Sequence, residues 1–347
     1  FYTFHAISYL VDVYRQKTHP QKNLLRLGLY LALFPKLVMG PIVPYHELEP
    51  ALAQRTASAQ DVSDGCFRFT IGLAKKTLLA DALAGLVTGI WGDLASLTVL
   101  SAWLGLIGYA LQLYFDFSGY SDMAIGLGRM LGFRFPENFR YPYLCSSISD
   151  FWRRWHISLG SWFKEYLYFP LGGSRAGTLR TLRNLLLVWL ATGLWHGASW
   201  NYVLWGLYFG VLICLEKLLA PRFRAHPRKG LLAGLYRPVC LLLAVLGWVL
   251  FRAEDLPAAG RYFACLFGGA AGASAQARLY LHDFWPVLLL GAVGATPLCA
   301  KLAGRLGAKL QPGVRAAVQA VLVLALLACS TVWLLNGSFQ SFVYFQF

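Results

Sequence analysis

The stretch Asn184–Leu215, NLLLVWLATGLWHGASWNYVLWGLYFGVLICL, contains no Asp, Glu, Lys or Arg. As one helix it would measure roughly 48 Å at 1.5 Å per residue, more than one bilayer core and less than two comfortable spans. His196 lies in its middle, in Leu194-Trp195-His196-Gly197-Ala198-Ser199-Trp200. A titratable imidazole at membrane depth is costly and by default marks a functional site. The plainer alternative is a histidine that hydrogen-bonds a neighbour in an aromatic core, and position alone does not separate the two. Gly193 and Gly197 offer places for the helix to break and hold the ring.

The rest of the chain shares this character. It is 57% hydrophobic and 14% charged, against roughly 25% charged in soluble domains. Mean hydropathy is +0.52, and 12 Trp, 18 Tyr and 23 Phe supply aromatic belts for two membrane interfaces. The expected class is an all-α polytopic membrane protein. The net charge of +15 would suit nucleic acid, but no basic stripe or folded nucleic-acid module is present, so no such partner is expected. The basic residues cluster between apolar spans, where they orient the protein and attract anionic lipid headgroups or a phosphate-bearing donor. Seven scattered Cys without a C-x-x-C pair read as small buried residues, neither a disulfide frame nor a metal site. The chain opens on Phe1 with no basic-then-apolar leader, so its N-terminus is expected to be missing.

Apolar spans are expected at Thr98–Phe115, Asn184–Leu215, Pro238–Phe251, Phe284–Ala300 and Ala316–Asn336, with weaker candidates at Leu24–Val43 and Phe67–Ile90. That gives about seven or eight transmembrane helices in one domain, 1–347. Leu24–Val43 holds Phe34-Pro35-Lys36 and Gly40-Pro41, so a kink or break is expected there. Five basic residues in 217–229 and four in 301–315 place those loops in the cytoplasm; 252–283, with balanced charge, faces the other side.

From 116 to 183 charges interrupt segments that read as too short and polar to span, yet aromatics stay dense. Such backbone near a membrane must be covered by protein or line a cavity. Re-entrant and interfacial helices around a central chamber are the expected form. Within this region Asp150-Phe151-Trp152-Arg153-Arg154-Trp155-His156 supplies a second histidine that, like His196, directly follows a Trp. No H-x-x-x-H or H-E-x-x-H supports a metal, and no G-x-S-x-G supports a serine nucleophile. A histidine base without a protein nucleophile remains, which suits acyl transfer from a reactive thioester to a hydroxyl.

Several motifs carry a resemblance. Gln112–Ala124 (QLYFDFSGYSDMA), Pro136-Glu137-Asn138-Phe139 with Tyr141-Pro142-Tyr143, Phe151–Leu159 (FWRRWHISL) and Trp195–Trp200 (WHGASW) resemble the membrane-bound O-acyltransferase family. Tyr166–Arg175 (YLYFPLGGSR) resembles its alginate O-acetylation branch, and likeness extends to Phe1–Arg15 and Phe342–Phe347. The resemblance implies a catalytic core over 110–215, with the first few family helices lying before this chain. It places His196 at the family's catalytic histidine and His156 at the upstream functional position.

It also implies an acetyl thioester donor, acetyl-CoA or a carrier-bound equivalent, arriving from the cytoplasm, with no tightly bound cofactor. The acceptor would be an exported polysaccharide, reached directly or through a periplasmic SGNH-type acetyltransferase, from a multi-pass protein of the bacterial inner membrane. Chamber candidates carry plainer alternatives beside them. Arg153 and Arg154 are oxyanion partners or snorkelling interfacial residues. Asp116 and Asp122 orient a histidine or form structural ion pairs. Trp152, Trp155, Trp195 and Trp200 stack on ligand or pack the chamber wall. D-alanyl or peptidoglycan O-acyl transfer, and a conduit serving a periplasmic enzyme, are the competing readings; the lack of repeat symmetry counts against a transporter.

Overall fold

The computed structural model describes residues 1–175, 177–225, 231–336 and 342, and every regular element among them is helical. Arg228 and Lys229 of the basic loop, and residues 343–347, lie outside the described residues. In chain order the helices are α1 (Tyr2–Tyr14), α2 (Leu24–Ala32), α3 (Tyr45–Ala53), α4 (Ala59–Ala74), α5 (Asp81–Trp91) and α6 (Val99–Met130). The short α7 (Ile148–Trp152) and α8 (Ile157–Phe163) follow, then α9 (Thr178–His196), α10 (Trp200–Ala225) and α11 (Leu231–Arg252). The chain closes with α12 (Leu256–Leu266), α13 (Ala275–Gly294), α14 (Leu298–Gly307) and α15 (Pro312–Asn336).

Helix α6 is the axis of the molecule, touching α4, α5, α11, α12 and α13. It opens on a reciprocal cap, in which Thr98 Oγ1 accepts from the Ser101 N–H and Ser101 Oγ accepts from the Thr98 N–H. Against α4 it runs almost backbone to backbone. A Cβ on Gly72 would lie 2.5 Å from the Gly119 carbonyl oxygen, and one on Gly126 would lie 2.6 Å from that of Gly65. Close approach through small residues is how helices associate where lipid removes the hydrophobic drive.

Between α4 and α5 the chain widens into a π turn over Lys75–Ala80. The two neighbouring lysines thereby reach different carboxylates: Lys75 Nζ lies 2.6 Å from Asp122, while Lys76 Nζ lies 2.7 Å from Asp81 and 2.8 Å from Asp116. These pairs correct the expected end of the helix near residue 115. Helix α6 continues through Asp116 and Asp122 to Met130, because each carboxylate is neutralised by a cation from the facing helix. The expected short elements begin only after it, at α7, α8 and a second π turn over Lys164–Tyr168.

Among the described residues α6, Trp200–Leu219, Leu235–Arg252 and α15 are long and apolar enough to cross a membrane, and α13 with α14, bent by 68°, would make a fifth. Leu24–Val43 breaks after Ala32 into a 3-10 turn over Phe34–Lys36 and extended chain, as its prolines predict. The uncharged stretch divides into α9 and α10 at Gly197–Ser199, while Gly193 stays inside α9.

Candidate active site

The break after His196 is made by contact between α9 and α10. A Cβ on Gly193 would run into the Tyr202 carbonyl, and one on Gly206 into that of Trp189. Gly197 itself is in ordinary extended backbone, but a Cβ there would lie 2.5 Å from the Tyr202 ring. At the tip, His196 Nδ1 lies 2.7 Å from the Thr192 carbonyl oxygen. A carbonyl only accepts, so Nδ1 carries the proton and the basic lone pair belongs to Nε2. The half-buried ring sits among Trp195, Trp205 and Phe251, at centroid distances of 4.7, 4.8 and 5.3 Å.

His156 arrives from the other side. It is the residue before α8 and adopts the left-handed conformation, φ 45°, uncommon outside glycine. Asn138 holds the strained turn: its carbonyl accepts from the Ile157 N–H at 3.0 Å, and its Oδ1 accepts from the Ser158 N–H and hydroxyl at 3.1 and 2.9 Å. The His156 ring is 2% exposed, packs edge-on against Phe117 at 4.6 Å, and lies 6.4 Å from Trp195. Trp195 is thus the wall shared by both histidines.

Upstream, α7 is fixed by Glu216 of α10. Its carboxylate accepts from the Ile148 and Ser149 N–H groups at 2.6 and 2.9 Å, and from the Ser149 and Tyr236 hydroxyls at 2.6 Å each. A carboxylate on otherwise orphaned amides at a helix N-terminus is well matched in charge and geometry.

The structure brings together His156, His196 and Trp195, and packs Trp152 and Trp155 behind them against Trp189, Trp205, Phe209 and Trp248. It does not bring the other candidates to the histidines. Trp200 is 71% exposed. Arg153 points outward with 72% of its side chain exposed, and Arg154 pairs with Asp150 at 3.0 Å. Asp116 and Asp122 are engaged with lysines and Arg68. Asn138 and Glu216 carry roles that the sequence reading missed. Asn138 lies in a motif already quoted, and Glu216 is the first charge after the uncharged stretch.

A half-open cavity of about 320 Å³ adjoins α8, lined by Ile157, Ser158, Ser161 and Trp162 on one side and by Lys17, His46 and Glu165 on the other. The Glu165 carboxylate is held below its ordinary value of 4.5, chiefly by the Lys17 ammonium at 2.5 Å, with Arg15 beside it. A larger groove of about 630 Å³ lies against α15 and touches neither histidine. Among the described residues, no three His, Cys, Asp or Glu side chains are grouped to hold a metal ion.

Comparison with known proteins places the chain among its relatives. The chain is 47% identical over 271 residues to "Probable alginate O-acetylase AlgI" of Pseudomonas fluorescens, covering 77% of this chain and 53% of the relative. It is 36% identical over 288 residues to "Peptidoglycan O-acetyltransferase" of Helicobacter pylori, covering 75% and 54%. A "Teichoic acid D-alanyltransferase" of Bacillus subtilis is 29% identical over 225 residues, covering 61% and 56%. The chain therefore spans about half the length of the curated relatives it matches. The sequence profile of the MBOAT family matches residues 5–234. The chain belongs to the membrane-bound O-acyltransferase family.

Proposed function

We propose that this chain is the core of a membrane O-acetyltransferase of the bacterial inner membrane. It moves an acetyl group from a cytoplasmic thioester, acetyl-CoA or a carrier-bound equivalent, toward hydroxyls of an alginate-like exported polysaccharide. The acceptor is either the sugar or a periplasmic SGNH-type acetyltransferase that passes the group on. The observation that carries this reading is the His196 tautomer: Nδ1 donates to Thr192, so Nε2 is the basic nitrogen, beside His156 across Trp195.

In the reaction Nε2 takes the proton of the acceptor hydroxyl as its oxygen attacks the thioester carbonyl carbon. The C–S bond then breaks, and the departing thiolate recovers the proton from the imidazolium. His156 positions or polarises the reacting groups. Alginate acetylation is supported over the related acylations by the higher identity to the relatives so named, 47% against 36% and 29%.

The test follows label from [¹⁴C]acetyl-CoA to acceptor with the purified full-length protein. His196→Ala is expected to lower transfer by roughly 100-fold or more while leaving the melting temperature unchanged. Transfer by that variant at the wild-type rate would overturn the assignment.

A further inference from the structure

Away from the histidine pair, the segment after α2 leaves the helix yet stays buried. Leu33, Pro35, Lys36, Leu37, Met39, Ile42 and Val43 are all enclosed, and Val38, a β-branched residue, is held at φ 60°. Irregular backbone inside a membrane protein is tolerated where protein covers it or where it lines a cavity. Strain of this kind persists only where the surroundings impose it.

Lys36 is 0% exposed, and among the described residues its Nζ has no hydrogen-bond partner and no ion pair. The contact that compensates it is the face of Tyr30, 4.1 Å from the ring centroid. His5 of α1 is also 0% exposed, neither ring nitrogen has a partner among the described residues, and its ring meets the same Tyr30 edge-on at 5.6 Å. The Tyr30 hydroxyl is occupied: it donates to the Val43 carbonyl at 3.1 Å and lies 3.5 Å from Ser8 Oγ.

A cation–π contact contributes about 0.5–2 kcal/mol, whereas burying an unpaired ion costs several kcal/mol. The ring alone does not balance the ammonium. The nearby carboxylate on α1, Asp12, takes His46 Nδ1 at 2.7 Å and the Tyr166 hydroxyl at 2.9 Å on Oδ2, while its Oδ1 has no partner among the described residues and forms no ion pair with Lys36. An ammonium and an imidazole, which always carries at least one N–H, thus share one tyrosine, and neither has an acceptor among the described residues.

We propose that His5 and Lys36 form a buried oxyanion site that holds a carboxylate or phosphate group of a ligand. The cavity beside α8 has His46 and Tyr166 in its wall, and both of these bind Asp12, which lies on the buried face of α1 that also carries Ser8 and His5. Phe4, next to His5 in α1, stacks on Trp162 at 3.9 Å and on Trp195, the wall shared by the histidine pair, at 5.4 Å. A carboxylate would come from a uronic acid unit, a phosphate from a phosphate-bearing donor.

The two tryptophans on Phe4 give the reporter. Full-length protein in detergent is titrated at constant ionic strength with sodium glucuronate, inorganic phosphate and glucose while tryptophan fluorescence is followed. At least one anion is expected to bind saturably with a Kd tighter than about 10 mM, and glucose not at all. Lys36→Met is expected to weaken that binding by about tenfold or more. His5→Leu weakens it in the same direction and serves if Lys36→Met does not fold. Glucuronate alone binding identifies a carboxylate site, phosphate alone a phosphate site, and both together a general oxyanion site. No saturable binding of either anion overturns the proposal, as does affinity unchanged in the folded variants.

Discussion

At the scale of single residues, Asn138 does the most with the least. It supplies two acceptors to the first turn of α8 and so keeps His156 in a conformation that a histidine does not choose on its own. Asn138→Ala leaves the Ser158 N–H and hydroxyl without partners, an expected cost of about 1–3 kcal/mol. Acetyl transfer should fall further than the melting temperature accounts for, because His156 is released as well. Equal activity per folded molecule would separate the turn from the chemistry. Both histidines were legible in the sequence, since an imidazole after Trp in an apolar run is conspicuous. Their partners were not. Which carbonyl fixes His196 and which amide fixes His156 depends on contacts 4 and 20 residues away.

At the scale of helices, two joints determine where the histidines sit. One is Glu216 on the N-terminus of α7. Glu216→Ala strips four donors of their acceptor, and a loss of roughly 2–4 kcal/mol is expected by denaturation in detergent. Glu216→Gln keeps acceptor capacity and should recover part of that loss; if both variants melt alike, the charge plays no part. The other joint is the α9–α10 contact. Gly206→Leu forces the helices apart and should cost about 1–3 kcal/mol, with activity lost first because His196 ends α9 at that contact. The break at Gly197 was anticipated from the over-long uncharged stretch, while the full length of α6 was not. Asp116 and Asp122 look like helix breakers in one dimension; the facing lysines and Arg68 make them compatible with a buried helix.

At the scale of the whole molecule, distant parts of the chain are tied by charge and by packing. Glu165 joins the end of α1 to the π turn after α8 through Arg15 and Lys17, some 150 residues away in sequence. Its carboxyl is lowered from 4.5, so its contribution is fully present above 4.5 and is lost as pH falls through the lowered value. The melting-temperature gap between wild type and Glu165→Gln should therefore be present at pH 7 and close under acid. A gap independent of pH would exclude the ion pairs as its source. The exposed third of this side chain keeps the effect small, within about 1 kcal/mol. Helix α15 stands at the opposite extreme. Only 6% of its apolar window is buried, and it meets the rest through α4 and the π turn, with a hydroxyl bond from Thr77 to Ser330 at 3.0 Å. Its 25 residues extend about 37 Å, longer than a hydrocarbon core of about 30 Å. A rod of this length spans the core with some tilt, set by what it packs against. Because the hydroxyl bond pins one point of the rod to the same turn that carries Lys75 and Lys76, the tilt of α15 and the ion pairs at the heart of α6 share one joint.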